Sequence, residues 1–211
     1  MIQLSQSQIE NSLPEMVKCW LTDCIKNCDL KLPAEQLAEK LMVYFSKVPR
    51  FIKSNNTSYE PSNVKHNYSL IDLCRINILL LSSSQHNIDF QQLVKSMLRF
   101  SDDEEKISIA KGIIILDPDG LLVDEMIDLC RTNSTEVLSS LALDNSYPAK
   151  YFPEINFNQL ILKSMFLGLD ISRVENLNGR KNIELSRMAA DYKQERINAN
   201  RSVPKCLALA L

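Results

Sequence analysis

Apolar side chains recur every three to four residues along almost the whole chain. A clear case follows Pro33, where Leu37, Leu41, Phe45 and Val48 fall in one register. This spacing puts apolar residues on one face of a helix. Only 4 glycines occur in 211 residues, and hairpin turns depend on glycine at positive φ. We therefore predict an all-α fold of antiparallel helical pairs, with a HEAT-like or α-solenoid-like arrangement.

Capping residues, prolines and glycines divide the chain into about nine predicted helices. They are Met16–Cys28, Pro33–Val48, Ser69–Leu81, Asp89–Phe100, Asp102–Ile115, Leu121–Arg131, Asn133–Leu143, Glu154–Leu167 and Asn182–Ala199. Pro49 is predicted to end the second helix. Ser101 and Glu104 are predicted to form a capping box. The segments 53–67 and 144–153 are predicted to be loops, and the apolar tail is expected to dock on the body.

Length and charge limit the functions that the chain can have. We predict that residues 1–211 form a single domain. The net charge is −2, which disfavours nucleic-acid binding. The longest apolar run, Ile76–Leu81, is interrupted by Asn77, so no transmembrane segment is expected. The N-terminus lacks the pattern of a signal peptide, and we expect a cytoplasmic location.

Metal or cofactor binding is not expected. Cys24 and Cys28 lie one helical turn apart, which is compatible with a metal or redox site or with small apolar side chains on a helix face. No CxxC motif occurs, and His66 and His86 lie in or beside predicted loops. The second interpretation is therefore favoured, and we predict no metal and no cofactor.

The predicted helix Glu154–Leu167 carries a polar residue where its pattern calls for an apolar one. At 100° per residue, Gln159 and Lys163 share a polar face, whereas Asn158 falls in the middle of the opposite, apolar face. A buried amide needs hydrogen-bond partners. Asn158 is therefore expected either to satisfy the backbone of the loop 144–153 or to contact a ligand in a pocket.

The predicted last helix carries a stripe of charge beside its apolar stripe. The charged stripe consists of Glu184, Arg187, Asp191 and Glu195. Asp191 and Glu195 have like charge one turn apart and need a cation nearby, for which Arg187, Arg180 and Lys163 are candidates. Two such carboxylates are compatible with acid/base chemistry or with an exposed structural face. Residues 173–205 contain 8 Lys or Arg against 4 acidic residues. This excess is compatible with anion binding or with an ordinary exposed helix.

The stretch LALDNSYPAKYFPEINFNQLILKSMFLGLDISRV, followed by GRKNIELSRMAADYKQERINANRSVP, resembles the EboA family over Leu141–Pro204. Ser146 and Ile183 stand where the family usually has proline, and the tail lacks the family's aromatic residue. The resemblance divides the chain into a variable helical half, 1–100, and a motif half, 101–211. It implies a bacterial protein of an ebo-type gene cluster, associated with making or moving secondary metabolites. It names a pathway context and no reaction.

Two functions follow from the residues and the resemblance together. The first is a non-enzymatic accessory, scaffold or ligand-binding protein, whose partners would be proteins of the same cluster or an anionic small molecule. The second is an enzyme acting on a small anionic or prenylated intermediate with Asp191, Glu195, Lys163 and Arg187. The candidate binding residues are Asp144, Asn145, Tyr147, Asn158, Gln159, Lys163, Arg180, Arg187, Asp191, Tyr192, Glu195 and Arg196. No catalytic residue is assigned, because standard catalytic motifs are absent.

Overall fold

A computed structural model describes residues 6–28, 30–55, 68–83 and 88–211. Every regular element in these ranges is helical, which confirms the predicted all-α class. The described residues group into two compact units, 1–122 and 123–211. The single domain and the HEAT-like arrangement stay predictions. In the described ranges no helix is long and apolar enough to cross a membrane.

The first unit contains six helices among its described residues. They are α1 Gln6–Ser12, α2 Glu15–Lys26, α3 Ala34–Ser54, α4 Leu70–Ser83, α5 Phe90–Phe100 and α6 Asp103–Leu116. Helix α4 packs against each of the other five, and α3 also packs along α5. Its sequence explains this position, because α4 is apolar on nearly all sides and is buried on all sides.

Helices α4 and α6 approach closely at Gly112. A Cβ atom built on Gly112 would lie 2.5 Å from Cγ1 of Ile76. That distance is well inside van der Waals contact, so only glycine fits this helix interface without displacement of the neighbouring side chain.

Pro49 does not end α3, which continues to Ser54. Proline lacks an N–H and leaves the carbonyl of Phe45, one turn earlier, without its helical donor. The Arg75 Nε–H from α4 donates to this same carbonyl at 3.4 Å. A side chain of the neighbouring helix thus compensates for the donor that Pro49 lacks, and the helix continues.

Two local predictions in the first unit were wrong by small shifts. The capping box joins Asp102 and Glu105 instead of Ser101 and Glu104. Ser101 instead ends α5, where its hydroxyl donates to the carbonyl of Met97 at 2.6 Å. The buried face of α2 consists of Val17, Leu21, Cys24 and Ile25. The spacing of Met16, Trp20, Cys24 and Cys28 predicts a different buried stripe for this helix, and it is wrong for Met16, which is exposed.

The second unit contains six α-helices and two short 3₁₀ helices. They are α7 Val123–Leu129, α8 Thr135–Ala142, α9 Ser146–Tyr151, α10 Glu154–Phe166, α11 Leu177–Arg180, α12 Ile183–Asn198, and the 3₁₀ helices Ile171–Arg173 and Lys205–Leu209. Helix α10 packs against α8 and α12, and α8 also packs against α7 and α9. Gly168, at φ 75°, ends α10 in the left-handed conformation that glycine tolerates.

The predicted loop 144–153 and the tail have more structure than a loop. Residues Ser146–Tyr151 form α9, because Asn145 accepts a hydrogen bond from the Tyr147 N–H at 3.0 Å and caps the turn. The tail docks as predicted. Its Leu207 is buried, and its 3₁₀ helix packs against Ile171–Arg173.

Helix α3 also enters the predicted loop 53–67 by two residues. The remainder of that loop beyond residue 55, with His66, and the segment that contains His86 lie outside the described residues.

Candidate functional site

The amide that interrupts the apolar face of α10 pairs with a capping residue. Asn158 Nδ2 donates to Asn182 Oδ1 at 3.1 Å, and Asn182 Nδ2 donates to Asn158 Oδ1 at 3.1 Å. Asn182 also caps α12, since the same Oδ1 accepts from the Leu185 N–H at 2.8 Å. Asn158 is 1% exposed. Its side chain therefore joins α10 to the start of α12 and does not satisfy the backbone of 144–153.

Arg180 satisfies the backbone of the segment 144–153. Its guanidinium donates to the carbonyl oxygens of Ala149 at 2.6 Å and Phe152 at 2.7 Å. The same group lies over the ring of Phe157, 4.6 Å from its centroid, which adds a cation–π contact. Arg180 thus closes the end of α9 against α10.

Asn145 and Tyr147 lie inside the second unit. Besides capping α9, Asn145 Nδ2 donates to the carbonyl of Ser140 at 3.3 Å. Tyr147 is 0% exposed, and its ring packs 4.8 Å from that of Tyr151 and edge-on to Phe152. Both residues therefore build the core around α9.

Asp144 makes the connection to the 3₁₀ helix Ile171–Arg173. It adopts φ 53°, its N–H donates to the carbonyl of Arg173 at 2.9 Å, and its carboxylate pairs with the Arg173 guanidinium. The hydrogen bond to Asp144, more than its charge, raises the pKa of Arg173. This double link fixes the residue just before Asn145.

Lys163 extends from α10 to the C-terminal end of α7. Its ammonium donates to the carbonyl oxygens of Cys130 at 2.6 Å and Thr132 at 2.7 Å. The last carbonyls of a helix lack intrahelical donors and carry partial negative charge, so a cation is stabilising there. Burial raises the pKa of the neighbouring Cys130 to about 12, and Lys163 opposes this only in part.

Arg196 and Tyr192 hold the end of α12. The Arg196 guanidinium donates twice to the Ser202 carbonyl, at 2.9 and 2.7 Å. It lies 5.9 Å from the Tyr192 ring centroid. Tyr192 is 5% exposed, and its ring lies 5.3 Å from that of Phe166. The two residues therefore fix the turn that leads from α12 into the tail.

The charged stripe of α12 is an exposed ion-pair cluster centred on Arg187. Its guanidinium contacts Glu184 at 2.6 Å and Asp191 at 2.8 Å. The hydrogen bond from Arg187 lowers the pKa of Glu184 and reciprocally raises the pKa of Arg187. Arg187 is therefore the cation for Asp191. Glu195 is exposed and forms no ion pair within the described ranges.

A cavity of about 200 Å³ lies between the C-terminal end of α7 and the polar face of α10. Its apolar lining includes Ile127, Phe152 and Leu160, and its polar lining is Arg131, Asn156, Gln159 and Lys163. Gln159 and Lys163 of the predicted site therefore meet here. Asn158, Arg187, Asp191 and Glu195 are not among the lining residues, so this cavity does not assemble the four groups of the enzyme hypothesis.

The sequence reasoning missed a buried charged network in the first unit. Asp72 accepts from Lys111 Nζ at 2.7 Å, from the Ser108 hydroxyl at 2.8 Å, and from the Ser69 N–H and hydroxyl at 2.9 Å each. Burial alone would raise the pKa of Asp72, but the Lys111 hydrogen bond and charge, with the other donors, lower it. The sequence pattern that could have predicted this network is the presence of two charged residues, Asp72 and Arg75, on the largely apolar helix α4. In the described part of the chain no three metal-ligating side chains cluster.

A model of the EboA family, described as metabolite traffic protein EboA, matches residues 1–210. The chain belongs to the EboA family. The match confirms the family that the motif stretch predicts and extends it over the first 100 residues, which carry no specific motif. Membership in the EboA family supports a role of the trafficking type. Comparison with curated proteins and with solved structures finds no significant match to either.

Proposed function

We propose that this EboA-family protein is a non-enzymatic accessory protein of metabolite traffic, which binds a small anionic metabolite in the cavity between α7 and α10. In this proposal it works in the bacterial cytoplasm, beside proteins encoded in the same gene cluster. The pathway would be one of secondary metabolism.

The observation that carries the proposal is the position of Lys163 in that cavity. Two of its three N–H donors are used by the carbonyls of Cys130 and Thr132, which leaves one for a ligand. Gln159, half-buried Asn156 and the Arg131 guanidinium surround it. Apolar side chains line the remainder. A few polar groups in an apolar concave surface are typical of small-molecule sites.

The other motif residues support an accessory role because their polar groups are used by the fold. Asn158, Arg180 and Arg196 donate to partners within the second unit. A side chain used in this way holds elements in place and is poorly suited to proton transfer. The fold would therefore hold the residues around the cavity in a preorganised arrangement, which favours ligand binding over catalysis.

The test compares two exposed glutamines of the second unit. Gln159→Leu changes the lining of the cavity, whereas Gln194→Leu removes an amide that bonds, among the described residues, only to Asn198 on α12. Each variant would replace the parent gene in the native host. The protein would be purified under mild conditions and its bound small molecules identified by mass spectrometry.

We expect an anionic metabolite with the parent and with Gln194→Leu, and several-fold less of it with Gln159→Leu. The cells carrying Gln159→Leu would also retain more of the pathway product. Equal recovery of the metabolite from both variants would reject the cavity as the site. Conversion of the metabolite by the purified protein would support the enzyme hypothesis instead.

A further inference from the structure

The first unit contains a second cavity, separate from the one proposed above. It measures about 310 Å³ and lies among α1, α2 and α4. Ligand pockets commonly begin at about this size, and it equals the liquid volume of roughly ten water molecules. Its wall is formed by Leu13 and Leu21, which are buried, and by half-buried Leu81. Polar side chains line the remainder, namely Asn11, Lys18, Thr22 and Asn77, so the cavity has both an apolar and a polar wall.

Asn77 contributes the one deeply buried polar side chain among the described residues of this lining. It lies one helical turn before Leu81 on α4 and is 3% exposed. Its Nδ2 has no hydrogen-bond partner among the residues that the structure describes. Buried side-chain donors nearly always find an acceptor. An unpaired amide in a cavity wall therefore indicates that an acceptor from outside the chain belongs there.

The cavity also has a cation on α2. Lys18 is half-buried and its only ion pair in the described ranges is a 3.5 Å contact with exposed Glu15. Thr22 uses its hydroxyl proton on the Lys18 carbonyl at 2.9 Å, so its oxygen offers only acceptor sites. The donors of this lining are thus the buried Asn77 amide, the half-buried Lys18 ammonium and the exposed Asn11 amide.

We propose that this cavity binds a small molecule that has a hydrocarbon part and a carbonyl oxygen, and that this oxygen accepts a hydrogen bond from Asn77 Nδ2. The leucine side chains of the wall favour the hydrocarbon part, and the Asn77 N–H favours the oxygen acceptor beside it. Lys18 favours an anionic group over a cationic one elsewhere on the molecule. This site is independent of the cavity between α7 and α10.

The test uses two probes of the same shape on the full chain. One is 2-hexanone, and the other is 2-methyl-1-hexene, in which a CH₂ group replaces the carbonyl oxygen. Binding would be followed by two-dimensional NMR of the ¹⁵N-labelled protein. The side-chain NH₂ signal of Asn77 would be assigned as the one lost in Asn77→Leu. Removal of the acceptor from a buried donor is expected to weaken binding roughly tenfold.

We expect 2-hexanone to shift the Asn77 NH₂ signal. Asn77→Leu, which keeps the side-chain volume, should lower the affinity of 2-hexanone relative to that of 2-methyl-1-hexene roughly tenfold, because the ketone then loses its donor but still loses its hydration. Leu81→Trp, which fills the cavity from its wall, should abolish binding of both. Asn55→Leu, at the exposed end of α3, is the control and should leave both affinities unchanged.

Three results would overturn the proposal. One is binding of 2-hexanone that leaves the Asn77 NH₂ signal unshifted. Another is a ratio of the two probe affinities that is the same in the parent protein and in Asn77→Leu. The third is absence of binding by either probe, together with slow exchange between the Asn77 NH₂ and a trapped water, because the water would then be the missing acceptor. None of these variants changes α7 or α10, so these outcomes neither support nor reject the proposed function, which is tested separately.

Discussion

Asn158 and Asn182 exchange hydrogen bonds in both directions, each amide donating to the other at 3.1 Å. The pair joins the buried face of α10 to the residue that caps α12. We expect Asn158→Ala to lower the free energy of unfolding by roughly 1–3 kcal/mol, because the Asn182 amide loses one of its partners and keeps only the Arg180 carbonyl and the Leu185 N–H. Urea denaturation followed by circular dichroism measures this.

A double-mutant cycle separates the pair from the cap. Asn182→Ala also removes the cap of α12, worth about 1 kcal/mol. The double variant should therefore cost less than the sum of the single variants. Exposed Asn178→Ala is the control and should change the unfolding free energy by less than about 0.5 kcal/mol. Additive costs for positions 158 and 182 would contradict the exchange of hydrogen bonds.

The buried pair of Asp72 and Lys111 should make stability depend on acid. The folded pKa of Asp72 lies below its ordinary value of 3.8. The stabilisation is therefore fully present above about pH 4 and is lost as the pH falls through the folded pKa. We expect Asp72→Asn to cost roughly 2–4 kcal/mol at pH 7, and this cost to shrink below pH 4. Urea midpoints at pH 7, 5 and 3 would show it.

Two other acidic residues, Glu105 and Glu35, matter for the interpretation of this pH dependence. Glu105 has the opposite shift, since burial, partly offset by the Asp102 N–H, raises its pKa. Its contribution grows as the pH falls, so the variant must be compared with the parent at each pH. Glu35→Gln breaks an exposed pair with Arg99 and should cost less than about 1 kcal/mol at every pH. A cost for Asp72→Asn that does not change with pH would argue against the ionised pair.

Gly112→Ala should destabilise the first unit despite the higher helix propensity of alanine. The added Cβ would meet Ile76 Cγ1 at 2.5 Å, and such overpacking costs roughly 1–3 kcal/mol. In an Ile76→Ala background the penalty should disappear, because the clashing atoms are gone. Thermal unfolding of the four proteins measures it.

Gly168→Ala is the matched comparison for that clash. Apart from its chain neighbours, no described residue comes within 4 Å of its added Cβ, but its φ of 75° disfavours any side chain. We expect a cost of about 1 kcal/mol that Ile76→Ala does not relieve. Equal rescue at both glycines would show that the effect at Gly112 is not steric.

The reactivity of the cysteine thiols should decrease as their burial increases. Burial raises the pKa values of Cys24, Cys74 and Cys130 to about 12, so at pH 8 about one part in ten thousand of each is thiolate. Cys19 is exposed. We expect iodoacetamide to modify Cys19 first and to spare the other three, as read by peptide mass spectrometry. Full modification in urea is the control. Early modification of Cys130 would contradict the burial of its thiol.

The regular elements were predictable because each carries its own local signal. Helix α10 was predicted to within one residue at its C-terminal end, since Gly168 stops it. The prediction that Pro49 ends its helix was wrong because the donor that replaces its missing N–H comes from Arg75, 26 positions away in the sequence. The capping box was misplaced by one residue because Ser101, Asp102 and Glu104, Glu105 offer two overlapping registers. In the structure the Ser101 hydroxyl is used by the Met97 carbonyl at the end of α5, and Asp102 takes the cap.

The site was predictable as a set of residues but not as a set of contacts. Periodicity identified Asn158 as buried and in need of a partner, yet its partner Asn182 lies on a helix whose position no periodicity fixes. The cation for Asp191 was among the candidates because Arg187 is one turn away. The sequence could not show that Lys163 pairs elsewhere, because its partners, the carbonyl oxygens of residues 130 and 132, reach it only through tertiary packing. The same holds for Lys111, which finds Asp72 only when α4 meets α6.

Lys163, Arg180 and Arg196 all donate to main-chain carbonyls, and this has an evolutionary consequence. Every residue type presents the same carbonyl, so positions 130, 132, 149, 152 and 202 can drift in sequence without loss of these bonds. The three cations cannot drift in the same way, because no short side chain spans the distance. We expect relatives of this chain to keep the donors and to vary freely at Thr132, Ala149 and Ser202. In such an arrangement a few long side chains fix the shape, and the segments that they hold can adapt to new cargo.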